Sequence, residues 1–112
     1  MVVVKQLIQM ESKYWIRSKG EYYYFQLLAP NGQHLVQSIS YDTKGECLDG
    51  ILIFQNRIRS GNNFEIFRRK NGEYEFRIAS LVKSEGYSSI MALRNGIRDV
   101  RQYGLTDKVE DK

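Results

Sequence analysis

Apolar and polar positions change period several times along this chain of 112 residues. From Tyr22 to Leu28 and from Glu73 to Ile78 they alternate in period two, the mark of strands with one face on a core. Tyr23, Phe25 and Leu27 take the inward positions of the first stretch, and Tyr74, Phe76 and Ile78 those of the second. A shorter run rich in aromatic and branched residues precedes each, at Tyr14 to Arg17 and Phe64 to Arg68, with turns at Lys19-Gly20 and Asn71-Gly72. Third strands are predicted at Leu35 to Ser38 and Leu81 to Ser84, after turns at Asn31-Gly32 and Ala79-Ser80. The period then becomes helical. Cys47, Gly50, Ile51 and Phe54, like Leu93, Gly96, Ile97 and Val100, recur at i, i+3, i+4, i+7 and predict helices over about 44–58 and 90–103. Thr43 and Glu46 form a capping box before the first helix, and Ser89 caps the second.

The two series are versions of one pattern. Ser38, Tyr41, Gly50 and Ile51 align with Ser84, Tyr87, Gly96 and Ile97 at a constant offset of 46, while the upstream strands align at 51 and 50. The offset changes only at turns, where length changes are tolerated and strand register is not disturbed. The chain is therefore read as one α+β domain spanning 1–112, built of tandem β-β-β-α repeats over about 13–60 and 63–112. Residues 1–12, with Val2-Val3-Val4 and Leu7-Ile8, form an N-terminal extension or an extra strand.

The run from Phe64-Glu-Ile66 through Asn71-Gly72-Glu-Tyr74-Glu-Phe76-Arg-Ile78, Ser84-Glu-Gly86-Tyr87-Ser-Ser89 and Asn95-Gly96-Ile97-Arg-Asp-Val100 resembles the YegP-like family, small bacterial proteins of unknown function. The first copy departs from that pattern at Ile39-Ser40 and at Asp49. The resemblance implies one mostly antiparallel sheet shared by both copies, with two helices packed on one face. It also implies that Phe64 to Arg69 and the tail Asp107 to Asp111 are strands exchanged between copies. It brings no catalytic residues.

Composition narrows the chemistry. At 42% hydrophobic and 27% charged the chain is an ordinary globular one, and a domain this short buries about two-thirds of its unfolded surface. No apolar run is long enough for a membrane span or a signal peptide, so a cytoplasmic protein with no membrane partner is expected. The single cysteine, Cys47, lies on the core stripe of the first helix and is read as a small hydrophobe; the single histidine, His34, is read as a solvated turn residue. Glu73 and Glu75 are placed on the outer face of their strand, where charge is expected. No phosphate loop, metal cluster or nucleophile–base pair emerges, so neither enzyme activity nor a cofactor is predicted. The net charge of +4 is mild, and it comes from the second half alone, because residues 1–56 are balanced.

Subtracting one copy from the other exposes two differences. Opposite the helix-covered face, the second strand carries Tyr22, Tyr24, Gln26 and Leu28 where its counterpart carries Glu73, Glu75, Arg77 and Ala79. In the helices, Leu48, Leu52 and Ile53 stand where the second copy has Arg94, Arg98 and Asp99. A helix apolar nearly all round is buried on more than one side. Tyr22, Tyr24, Leu48 and Leu52 are thus the candidate interaction surface, and Arg94, Arg98 and Arg101 a candidate basic face. The expected function is a non-catalytic structural or protein-interaction module, self-associating as a homo-oligomer or meeting an unidentified protein partner. The alternative is weak binding of single-stranded nucleic acid on the tyrosine face, ranked lower because arginines on a helix cannot line the far side of the sheet.

Overall fold

The computed structural model describes residues 11–61 and 64–112, so the predicted strand at Val2 to Ile8 lies outside the described residues. Nine elements follow in order: β1 (Lys13–Lys19), β2 (Tyr22–Leu28), β3 (His34–Ser38), α1 (Lys44–Arg59), β4 (Phe64–Arg68), β5 (Tyr74–Ile78), β6 (Val82–Ser84), α2 (Ile90–Tyr103) and β7 (Val109–Asp111). The strands make one seven-stranded sheet in the order β4-β5-β6-β3-β2-β1-β7. All neighbours are antiparallel except β7, which runs parallel to β1. Each strand that follows a helix thus pairs away from the strands preceding that helix: β4 leaves α1 for β5, and β7 leaves α2 for β1.

Both helices cover the same face. Phe25 and Leu27 of β2, Phe76 and Ile78 of β5, Phe54 of α1, and Leu93 and Val100 of α2 are fully buried in one core. The capping box forms as predicted: Glu46 N–H donates to Thr43 Oγ1 at 3.0 Å, and Thr43 N–H donates to Glu46 Oε1 at 3.2 Å. Ser89 Oγ accepts from Ala92 N–H at 3.1 Å.

Two buried serines pin the third strands. Ser38 Oγ accepts from Phe25 N–H at 2.8 Å and donates to Ile39 O, and Ser84 Oγ accepts from Phe76 N–H at 2.9 Å and donates to Glu85 O. Each hydroxyl stands in where the ladder has run out of backbone partners. Just beyond them, Tyr41 bridges to Tyr23 and Tyr87 to Tyr74. The ring of Tyr41 fills the space that a side chain on Gly50 would take, and Tyr87 does the same at Gly96. The helical glycines admit a tyrosine ring.

The end of α2 is tied down from two sides. Tyr14 Oη donates to Gly104 O at 2.7 Å, and Gln55 Nε2 of α1 donates to Gly104 O and Thr106 O at 3.1 and 2.7 Å. Burial pushes the Tyr14 hydroxyl far above its ordinary pKa, the hydrogen bond with Gln55 opposing it. That junction directs the chain to β7, which closes the outer edge of β1 through Tyr14 N–H to Lys108 O (2.9 Å) and Lys112 N–H to Ile16 O (2.8 Å).

Candidate functional site

Because both helices lie on one side, no helix among the described residues covers the other side of the sheet. Register determines what stands there. Following cross-strand partners from one edge to the other gives a single row: Glu110, Trp15, Gln26, Gln37, Lys83, Arg77, Glu65. At about 4.8 Å per strand, the stretch from Trp15 to Arg77 covers roughly 19 Å. Tyr24 lies two residues from Gln26 on β2 and faces Arg17, and Tyr22 faces Lys19.

Glu110 and Arg77 in the row have ion-pair partners, and the residues between Trp15 and Arg77 have none among the described residues. Glu110 accepts from the Trp15 indole N–H at 3.3 Å and pairs with Lys13 at 3.6 Å. Arg17 and Lys112 stand over the Trp15 ring at 5.6 and 4.8 Å, and His34 meets its edge at 5.7 Å. On the other side, Glu75 is only 4% exposed and is gripped by Arg69 Nε at 2.7 Å and Arg77 Nε at 2.6 Å. Burial alone pushes the Glu75 carboxyl up, but the two arginines outweigh it and hold the group below the usual carboxylate range. Arg77 also lies over Phe67 at 4.1 Å. Between these clusters stand two carboxamides and an ammonium. Gln26 Nε2 donates to Gln37 Oε1 at 3.1 Å, while Gln26 Oε1 is buried with no partner among the described residues. Lys83, Arg17 and Lys19 make no ion pair among the described residues. A hollow of about 180 Å³ opens here, lined by Gln26, His34, Gln37, Arg69, Lys83 and Glu85.

Tyr22, Tyr24 and Arg77 therefore occupy the helix-free face as expected, together with Trp15, Gln37 and Lys83, which the alignment of the copies did not single out. Trp15 was readable from the alternation Lys13-Trp15-Arg17 against Tyr14-Ile16; the rest needed the register. Glu75 is not a solvated strand charge, because two arginines fold over it. His34 opens β3 half-buried against Trp15 and is not a free turn residue. Leu48 and Leu52 lie elsewhere, on α1, where Leu52 is 60% exposed, Ile53 49% and Leu48 39%. The all-round apolar character predicted burial on several sides, yet no described residue covers this ridge. Arg94, Arg98 and Arg101 are exposed on α2, on the helix side and away from the tyrosines, with Arg101 over Phe64 at 4.9 Å. No helix among the described residues is long and apolar enough to cross a membrane.

The fold defines a class of small α+β proteins in which one mostly antiparallel sheet carries two helices on one side. Residues 18–52 match the family model described as a domain of unknown function, DUF1508. The chain is 32% identical over 100 residues to UPF0339 protein plu2779 of Photorhabdus laumondii, covering 85% of this chain and 88% of that one. It is 29% identical over 100 residues to UPF0339 protein YegP of Yersinia pestis, covering 85% and 89%. The solution structure of yegP from E. coli, a protein of unknown function, superposes with a TM-score of 0.82 at 23% identity, covering 92% of this chain and 94% of that one. A second solution structure, UPF0339 protein SO3888 of Shewanella oneidensis, gives 0.77 at 27% identity, covering 91% and 92%. The chain belongs to the YegP-like (UPF0339) family, whose function is unknown.

Proposed function

We propose that the protein is a non-catalytic binding module whose working surface is the helix-free face of the sheet. The observation that carries this reading is the cross-strand row, in which an indole, two carboxamides and an ammonium without an ion pair stand side by side on the face opposite both helices, with no helix over them among the described residues. Buried amides without full partners are costly, and a ligand that completes them recovers that cost. The test replaces Tyr22, 53% exposed at the margin of this face, with the photocrosslinker p-benzoylphenylalanine, and Leu52 on α1 in a separate chain. After irradiation in cells, covalent adducts are expected from position 22. Adducts from position 52 alone overturn the reading.

A second reading is favoured by one observation, the exposed ridge of Leu48, Leu52 and Ile53 on α1. It is self-association, with this ridge covered by a second copy of the chain. We also infer that the two halves are copies of one β-β-β-α unit. The paired arrangements of Ser38 with Ser84, Tyr41 with Tyr87 and Gly50 with Gly96 support that.

A further inference from the structure

The centre of the row has the chemistry of a base-reading site. Gln26 is 9% exposed, and its Oε1 is buried and unpartnered, so the site wants an N–H donor. Beside it Gln37 is exposed, with its oxygen already used by Gln26 and its N–H donors left over. Together they hold one acceptor and one donor on neighbouring strands, hydrogen-bonding groups of the kind that meet the edge of a nucleobase. Flat partners flank them: Trp15 faces Gln26 across the sheet and Tyr24 is next on the same face of β2. Cations follow in order. Lys83 adjoins Gln37, and Arg17, which makes no ion pair among the described residues, lies over the indole; Arg77 next to Lys83 is already held by Glu75. A second hollow, of about 550 Å³, opens beside the first and shares Gln37 and Lys83 with it. The helix arginines, whose position counted against nucleic acid in the sequence, are not needed, since this face has cations of its own.

We propose that this row binds single-stranded nucleic acid, with a base on Gln26 and Gln37, stacking on Tyr24 and on the Trp15 ring, where it displaces Arg17 and Lys112, and phosphates on Lys83 and Arg17. The proposal rests on the helix-free face being the working surface and names its ligand. A single strand is required because a duplex hides the base edges and the ring faces. Binding is weak: two phosphate contacts at a slope of about 0.7 each predict an affinity that falls roughly 7-fold between 50 and 200 mM salt.

Trp15 is the only tryptophan, so its fluorescence reports directly on the row. Titrating the full chain with octamers of uridylate and adenylate, as RNA and as DNA, is expected to quench that emission saturably and with the stated salt dependence. Gln26→Leu is expected to weaken binding about 5-fold or more, the worth of one buried hydrogen bond. Lys83→Ala, a surface change that leaves the core untouched, is expected to lower both the affinity and the salt slope, the latter by about 0.7. Four results overturn the proposal: no quenching at low salt, equal quenching by polyglutamate, binding of free UMP or AMP as tight as that of an octamer, or a loss with Arg98→Ala as large as with Lys83→Ala. Silent oligonucleotides together with protein adducts from position 22 sink this inference and leave the helix-free face as the working surface; no adduct from position 22 removes both.

Discussion

Ala79 and Ser80 both have positive φ, 48° and 51°, and Leu81 N–H donates to Ile78 O at 2.9 Å across them. That is a type I′ hairpin turn, whose twist suits the flanking strands but whose two central residues are normally asparagine and glycine. Holding residues with a Cβ there costs about 1 kcal/mol each. The double substitution Ala79→Asn, Ser80→Gly is expected to raise unfolding stability by about 1–2 kcal/mol, read as a higher midpoint in urea; an unchanged or lower midpoint means that the turn is not strained. The position of this turn was legible in the sequence, since the two alignments close up at Ala79-Ser80. Its conformation was not, because neither residue type favours it. Gly50 and Gly96 show the same division. Their place on the helix stripes was readable, but the tyrosine ring that fills each gap comes from beyond a strand end and joins the glycine only through the sheet. Glu75 marks the limit of local reasoning: alternation puts it on the outer face correctly, and only Arg69 on the neighbouring turn and Arg77 two residues on make that position buried.

The elements themselves were largely legible. Both helices begin at the predicted caps, and Tyr22–Leu28 was located to the residue, because period and capping are local signals. What α1 does with its surplus of apolar residues was not. Its buried stripe of Cys47, Ile51, Phe54 and Ile58 is what the periodicity requires, and Leu48, Leu52 and Ile53 lie outside it in solvent. Burial pushes the Cys47 thiol up to about 11, in keeping with a core hydrophobe. If a second copy covers the outer ridge, the apparent mass from light scattering rises above that of the 13.2 kDa monomer as concentration increases. Leu52→Lys is expected to hold the chain at the monomer mass. The substitution is a clean one, since leucine and lysine differ little in helix propensity and the site is exposed, so stability shifts by about 0.5 kcal/mol or less. A native chain that stays monomeric at every concentration removes the α1 reading.

At the scale of the whole molecule, the row from Glu110 to Glu65 is the feature that no local pattern contains. It joins residues from all seven strands, and its order depends on β3 meeting β6 at the centre and on β7 running parallel to β1 at the edge. Pairings so distant in sequence follow from the packing of the shared core, which places the two hairpins side by side under α1 and α2. The aromatic end of the row relies on β7 most directly. Glu110 holds the Trp15 indole, Lys112 stands over its ring, and the parallel ladder with its two flanking backbone hydrogen bonds closes the edge of β1. Deleting residues 108–112 removes all of these at once. The two bonds that flank the β1–β7 ladder, at about 1 kcal/mol each, together with the half-covered Val109, predict a loss of at least about 2–3 kcal/mol in urea unfolding, to which the ladder itself adds. The opened β1 edge then offers unpaired N–H and C=O groups at Tyr14 and Ile16, so the shortened chain is also expected to associate through that edge. Trp15 emission is expected to shift to the red as its indole loses Glu110 and gains water. A shortened chain with the native urea midpoint and native emission would mean that β7 takes no part in holding the sheet or its aromatic face.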